Sequence, residues 1–397
     1  MIESTFEVAI AGSGLIGASL ALALGQGGVR TALIDSDAAP VAALRSNGPA
    51  HSDRWDARIY AVSPASVSFL DTLGAWRRLD AGRIEACTQM EIFGDRSSRL
   101  AFDAYEAGVP ALAYMLESSA LQKALSDALA SSDSVTVLNS DRVAGMVRSA
   151  ASVRVDLASN RSLQCALLIG ADGARSKVRD LAGIPAREHD YREVAVVANF
   201  AATEPHFGTA FQWFRGDSVL ALLPLPGKRV SMVWSAHVAD ANKLLALSDT
   251  GLADAVSAAT ARRLGRLDVI TSAKSFPLIR VTVRDPVADR TALIGDAAHV
   301  VHPLAGQGVN LGFGDAAALA RVLMEREPIA DIGNARLLRR YRRQRAEPII
   351  AMLAATHGLH ALFELPGPFP AVLRNAGLNL TQRLPVLRSM LARRAMG

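Results

Sequence analysis

Two stretches near opposite ends of the chain carry the residue types that hold a phosphorylated dinucleotide. The first begins with an apolar strand from Phe6 to Ala11, followed by Gly12, Gly14 and Gly17 in G-x-G-x-x-G spacing and at once by a helix rich in Ala and Leu. In that pattern Gly12 permits the tight turn, Gly14 lets a pyrophosphate approach the backbone, and Gly17 allows the helix to pack closely on the strand. Gly27 and Gly28 end the helix, and a second strand, Arg30 to Ile34, delivers Asp35, a carboxylate placed to accept hydrogen bonds from ribose hydroxyls. The second stretch runs from Leu293 to Asp315, L-I-G-D-A-A-H-V-V-H-P-L-A-G-Q-G-V-N-L-G-F-G-D. It reads as a short strand, Thr291 to Ile294, that carries Gly295 and Asp296 at its end. A turn through Gly306 and Gly308 then opens a helix near Val309. Such an opening offers free backbone N–H groups to an anion or a polarised ring.

A third segment lies between them. After the strand Ala166 to Ile169 comes Gly170-Ala171-Asp172-Gly173-Ala174-Arg175-Ser176-Lys177-Val178-Arg179, again a strand that passes through an acidic turn into a helix. The three motifs in this order resemble the single-component flavin aromatic hydroxylases, of which para-hydroxybenzoate hydroxylase is the best-known type. Within that group, His302 to Asp315 is similar to the signature of the ubiquinone-biosynthesis hydroxylases. So are Asp331-Ile332-Gly333, Tyr341-Arg342-Arg343-Gln344-Arg345 and the closing Ala395-Met396-Gly397.

The resemblance implies FAD as the cofactor and NAD(P)H as a reductant that visits transiently, unless another protein delivers the electrons. It implies that Gly12, Gly14 and Gly17 hold the pyrophosphate, Asp35 the adenosine ribose, and Asp296, beside Gly295, the ribityl chain. Arg58 matches the family's arginine near the flavin, and Gln122 a polar contact to the phosphate and ribityl region. Asp172 lies in the segment tied to both FAD and nicotinamide binding. Gly308 and Asn310 bring backbone N–H groups to the isoalloxazine, where negative charge grows on reduction, and Gly306 is a further cofactor-binding position. The family often has Glu in place of Asp35 and Gln in place of Glu193.

By the same resemblance, reduced flavin reacts with O2 to give a C4a-hydroperoxide, which transfers its distal oxygen to an electron-rich ring. The protein's task is to shield and position it. The expected substrate is a polyprenylated phenol of ubiquinone synthesis. His302 and Pro303 are the candidate catalytic positions, Pro303 through its backbone near the reactive flavin carbon. His299 and His302 are available as acid or base, or as imidazoles that only bond to backbone. No Ser-His-Asp order, zinc-ligand spacing or paired carboxylates compete. The other readings of the same chain are a flavin dehydrogenase or prenyl reductase that inserts no oxygen, and an assembly component of a membrane-associated biosynthetic complex.

The 397 residues, half of them hydrophobic and a fifth charged, suffice for two domains that share a cleft. Cys87 and Cys165 lie in no C-x-x-C pair and read as structural thiols of a reducing compartment. No signal peptide precedes the first strand, and no stretch reaches the roughly twenty apolar residues that cross a bilayer. The net charge of +5 is uneven. Arg336 to Gly397 holds eleven arginines and two acids, which leaves −4 for the rest. Arg339, Arg340, Arg342, Arg343 and Arg345 share one predicted helix, and Leu384, Leu387 and Leu391 form an apolar stripe beside Arg383, Arg388 and Arg394. Contact with an anionic membrane or partner protein fits this pattern, and so does a solvated arginine face on helices packed against the first domain. No nucleic-acid reader motif accompanies the arginines. The expected location is the cytoplasm, with peripheral attachment to the inner face of the membrane.

Between Tyr191 and Val283 the texture is that of a sheet. Asp217 to Leu223 and Arg229 to Ala236 read as strands joined through Pro224 to Lys228, and a strand pair bounded by Met90 and Phe102 joins the same layer. Phe200, Phe211, Trp213, Phe214 and Trp234 supply aromatic bulk, either for this domain's core or for one wall of an apolar pocket over the flavin. The expected fold is α/β: a Rossmann-like FAD-binding domain of the para-hydroxybenzoate hydroxylase (GR2) type, an interleaved β-sheet substrate domain and C-terminal helices. The implied division is 1–75, 110–182 and 284–345 for FAD binding, 76–109 and 183–283 for the substrate domain, and 346–397 for the basic helical region.

Overall fold

The computed structural model describes residues 2–36, 54–94, 98–216, 218–302 and 306–364. Five parallel strands form the centre of the first sheet, in the spatial order Thr291–Leu293, Ser162–Gly170, Ile2–Ala11, Thr31–Ile34, Val135–Leu138. Their inner members are buried on both faces and so read as unbroken apolar runs, as in Thr31–Ile34, rather than as alternation. Val153–Leu157 and Val143–Arg148 extend the sheet antiparallel beside Ser162–Gly170.

The register aligns the strand ends. Ile34, Ala11, Gly170 and Leu293 stand side by side. The next residues are tied together in turn: the Gly12 N–H donates to Ile34 O (2.8 Å), Ala171 to Ala11 O (2.8 Å) and Ile294 to Gly170 O (3.0 Å). The three sequence motifs therefore leave the sheet at one edge, where open α/β sheets bind ligands.

The helix Leu15–Gln26 packs on this sheet and against the helix Gly308–Met324. Gly12 has φ +102°, and a Cβ there would stand 2.3 Å from Ala171 O. At Gly17 a Cβ would stand 1.9 Å from Gly12 O, so the helix starts as close to the turn as backbone allows. Gly312 and Gly314 have a packing purpose. A Cβ on Gly312 would meet Ile16 at 2.7 Å, and one on Gly314 the Arg345 guanidinium at 2.9 Å.

The second sheet runs His299–Val300, Lys274–Val283, Ala186–Ala202, Arg229–His237, Ser218–Leu225, Thr209–Arg215, Gln89–Phe93, Arg99–Asp103. Met90 pairs with Phe102, so that strand pair does join this layer. The pairing of Ser218–Leu225 with Arg229–His237 runs two residues past the expected Leu223, because Leu225 is itself a fully buried core side chain; Pro226, Gly227 and Lys228 make the turn. A small third sheet, Ile59–Val62, Ala113–Glu117 and Glu85–Cys87, lies beneath, with Met115 and Cys87 packed on Ala210 and Leu225.

Alternation settles the aromatic question. Phe200, Phe211, Trp213 and Trp234 share a core with Ala241, Leu252 and Val256 of the helices Val238–Leu245 and Asp249–Ala259. The opposite face, which carries Glu193, Ala195, Val197, Asn199, Ser231 and Val233, turns toward the first domain: Asn199 Nδ2 donates to Asp56 O at 2.8 Å. These four aromatics are core; Phe214 lies on the opposite face, in one row with the smaller Val219, Ser235 and Ala195.

Both cysteines are buried, and burial pushes each thiol up to about 12, so neither is a nucleophile at neutral pH. Among the described residues no helix is long and apolar enough to cross a membrane. Leu384, Leu387, Leu391 and the arginines beside them lie outside the described residues.

The Ile16 notch is testable. Gly312→Ala is expected to cost about 1–3 kcal/mol by overpacking, and most of that cost to vanish when Ile16→Ala is added. Additive losses in a urea double-mutant cycle would show that the two residues do not compete for one space.

Candidate functional site

The cleft at the strand ends is built from the backbone outward. Gly14 caps the helix Leu15–Gln26 without any side-chain hydrogen bond, and a Cβ on it would meet nothing within 4 Å. Among the described residues no side chain caps the first turn, and the positive end of the helix dipole lies at Gly14. Ser13, inside the same loop, has a buried hydroxyl with no partner among the described residues. Gln122, on the helix Ser118–Leu129, donates from Nε2 to Ser13 O (3.0 Å), which brings it to the loop. Asp35 is held by its backbone: its N–H donates to Leu138 O (3.0 Å), and its carbonyl accepts from Asp141 N (2.7 Å).

Asp172 has a local task. Its Oδ1 accepts from Ser176 Oγ (2.5 Å) and its Oδ2 from Val178 N (3.1 Å), so the carboxylate organises its own turn and caps the helix Lys177–Leu181. Asn310 likewise spends its side chain on structure. Oδ1 accepts from Ser63 N and Ser66 Oγ (both 2.9 Å), and Nδ2 donates to Ala61 O (2.9 Å). Its backbone N–H belongs to the first turn of Gly308–Met324, whose N-cap, Gln307, makes no side-chain cap. Gly306 has φ +62°, and a Cβ on it would lie 3.5 Å from Ala61.

Arg58 stands across the cleft. Asp56 presents it, taking Arg58 N on Oδ1 (3.0 Å) and Ser119 N on Oδ2 (3.1 Å). Glu117 supports that segment, accepting Asp56 N (2.6 Å) and the fork of Arg83 (2.7 and 2.8 Å). The Arg58 guanidinium lies 5.2 Å from the Tyr60 ring and 5.4 Å from that of Phe276, so both domains touch it. Burial pushes the Tyr60 hydroxyl above its ordinary value, with the Arg58 charge opposing the shift. The alternating D-A-R-I-Y could have flagged Tyr60; nothing local in the sequence marked Phe276.

Asp296 is exposed to solvent yet enclosed by protein, as a carboxylate on the floor of a cleft must be. The enclosure raises its pKa, against the charges of His299 and Arg58. Asp315, nineteen residues on, is fully buried and shows the reverse shift. Burial alone would raise it, but His299 and Arg345 outweigh that and hold it below the usual range. Its Oδ2 accepts from Gly295 N (2.9 Å) and His299 Nε2 (2.6 Å), and its Oδ1 from Arg345 Nε (2.7 Å).

Both histidines bond to carboxylates. His302 is buried with Nε2 3.3 Å from Glu193 Oε2 and its ring edge-on to Tyr191 at 4.8 Å, which joins the second sheet to the segment leading to Pro303. Pro303 itself lies outside the described residues. The arginine helix, Ala335–Glu364, splits by face. Arg340, Arg342 and Arg345 pair with Glu325, Asp285 and Asp315, while Arg336, Arg339 and Arg343 are exposed. Asp331, in the Asp-Ile-Gly motif, pairs with Arg290 and accepts Gly333 N (2.9 Å).

The sequence profile of the FAD binding domain family matches residues 5–356. The 3-demethoxyubiquinol 3-hydroxylase of Escherichia coli K12 is 32% identical over 398 residues, covering all of both chains. The ubiquinone hydroxylase UbiL of Rhodospirillum rubrum is 31% identical over all of this chain and 90% of its own. Among solved structures, pqsL from Pseudomonas aeruginosa, described as a probable FAD-dependent monooxygenase, superposes with TM-score 0.76 over 94% of this chain and 99% of its own. Its identity is 23%, so that likeness speaks to the fold.

The raised carboxyl of Asp296 gives a signed expectation. Ionising it costs the cofactor-free fold stability. The cost is absent below the unfolded value of about 3.9 and complete above the raised folded one. Asp296→Asn should leave the apoprotein at pH 7 at least as thermally stable as the parent, with any gain shrinking toward pH 4. It should weaken FAD by about 10- to 150-fold, the worth of one hydrogen bond to a charged group. Unchanged affinity in a fluorescence titration would remove Asp296 from the cofactor's contacts.

Proposed function

Because the chain belongs to the FAD binding domain family, and within it to the ubiquinone-biosynthesis hydroxylases, we propose that it is an FAD-dependent monooxygenase that hydroxylates the ring of a polyprenylated phenol. The observation that carries the reading is the alignment of four strand ends, which brings the glycine loop, Asp35, Gly295 and Asp296 to one edge, faced by a sheet.

The residues present fit FAD. Among the described residues the outer side of Gly14 is open, the Ser13 hydroxyl is buried without a protein partner, and the first turn at Gly308 has no side-chain cap. In this reading Gly12, Gly14 and Gly17 take the pyrophosphate, Asp35 the ribose, Gln122 and Asp296 the phosphate and ribityl region, and Arg58 the flavin's edge. The N–H groups at Gly308 and Asn310 meet the ring where reduction adds negative charge. Asp172 acts one step back, through the turn it holds. When bound, FAD supplies the redox chemistry with dioxygen.

This chain's own residues orient the phenol and keep water out. Phe276, stacked on Arg58, and the small residues Ala195, Val197 and Val233 form the facing wall. His302 and Pro303 are assigned by position: His302 Nε2 lies 3.3 Å from Glu193 Oε2, a hydrogen bond that ties the segment before Pro303 to the second sheet. NAD(P)H is the proposed reductant, as a visitor, since Gly312 and Gly314 serve packing and supply no second nucleotide fingerprint. The exposed arginines 336, 339 and 343 are the proposed contact with an anionic bilayer, where a greasy-tailed substrate resides.

Incubating reduced holoenzyme with 18O2 and a prenylated phenol should place one labelled oxygen on the ring. Oxidation or reduction of the phenol without label would instead support a dehydrogenase or reductase. Co-sedimentation with anionic but not zwitterionic vesicles, weakened by converting the three exposed arginines to Gln, tests the membrane contact.

A further inference from the structure

Tyr341-Arg342-Arg343-Gln344-Arg345 lies on the C-terminal helix, away from every cofactor contact assigned above, yet its inward side chains converge on the flavin turn. We infer that Arg345 is a positioning residue for the cofactor: acting through Asp315, it fixes both the Gly295–Asp296 turn and the start of the helix Gly308–Met324. This rests on the FAD reading but not on the identity of the phenol.

The geometry is a fork with two tines. Arg345 Nε donates to Asp315 Oδ1 at 2.7 Å, and Nη2 donates to Leu311 O at 3.0 Å, so one planar group grips both a side chain and the backbone of the helix that opens at Gly308. Room for it exists only because residue 314 is glycine; a Cβ would lie 2.9–3.0 Å from the guanidinium. The other Asp315 oxygen accepts Gly295 N (2.9 Å) and His299 Nε2 (2.6 Å). One turn earlier, the buried Tyr341 hydroxyl donates to Leu293 O (3.0 Å), the last strand residue before that turn.

Asp315 is 0% exposed and the Arg345 side chain 11%. A carboxylate so buried holds its orientation only with a cation in hydrogen-bonded contact. Through it, a side chain thirty residues away orients the Gly295 N–H, and with it the direction in which Asp296 enters the cleft. The fork matters as well as the charge, since an ammonium cannot hold both acceptors in one plane. Arg342 is a built-in comparison: it lies on the same helix and pairs with Asp285 at 2.5 Å, but touches neither the turn nor the helix start.

The test measures FAD affinity of the apoprotein by fluorescence quenching, the midpoint potential of the bound flavin, and thermal stability, in R345M, R345K and R342M. R345M is expected to weaken FAD by about tenfold or more. It should also lower the potential, because the negative charge of Asp315 near the helix start then keeps only His299 and the Gly295 N–H as the partners named above. R345K should keep most of the potential and lose several-fold in affinity. R342M should bind FAD within about twofold of the parent even where its stability falls. R345M that is destabilised yet binds FAD with parental affinity and potential would overturn the proposal and leave a purely structural ion pair. Should R345M not fold, parental affinity and potential in R345K would overturn it equally.

Discussion

The constraint on which the rest depends is that four parallel strands stop in register. Inside a sheet covered on both faces the side chains are almost all apolar, and the backbone groups are consumed by the ladder. Polar chemistry can begin only where the chain leaves the sheet. Because Ile34, Ala11, Gly170 and Leu293 are neighbours, the residues that follow each of them emerge together, although they are scattered from position 12 to position 296. The glycines then settle how close backbone may come to backbone, and so how narrow the turn after the first strand is.

Electrostatics divides the two acids of the late motif by burial and partner. Asp315 sits deeper than Asp296, yet it is the one stabilised as a carboxylate, since His299, Arg345 and the Gly295 N–H all converge on it. Its contribution to stability is present above the ordinary carboxylate range and is lost only as pH falls through a still lower folded value. Asp296 has charge neighbours in His299 and Arg58, but they do not offset its enclosure, and its shift runs the other way. One acid is an anchor with its acceptors used. The other is held ready at a cost to the empty fold, the usual relation between a binding site and stability.

The elements of the site were legible because their signals are local. A glycine triplet between strand and helix, an acid at the end of the next strand, and a strand that ends in Gly-Asp each declare themselves within a dozen residues. Long-range bonds were illegible. Nothing near His299 predicts that Asp315 receives it, nothing near Gly314 predicts the guanidinium of Arg345, and Asp172 looks the same in sequence whether it reaches outward or caps its own turn. The five arginines on one helix illustrate the point: composition reveals their charge, but only the docking of the helix separates the three that are paired from those that face solvent. The sheet's aromatics show the same limit in a strand. Alternation separates Phe200, Phe211, Trp213 and Trp234 from Phe214, but which face turns toward the first domain is a tertiary fact.

That last assignment bears on what the cleft can admit. In one row across the sheet Phe276, Ala195, Ser235, Val219 and Phe214 stand side by side, and in the next Val197, Val233 and Ala221. Between the two phenylalanines the surface is therefore low, with side chains of one to three heavy atoms, while Phe200, Phe211, Trp213 and Trp234 stiffen the sheet from behind against two helices. Bulk placed on the far face gives rigidity without occupying the cleft. A wall that is both stiff and recessed can leave space beside Arg58 for a flat ring, and can hold that space when the site is empty. The same aromatics turned inward would have filled it.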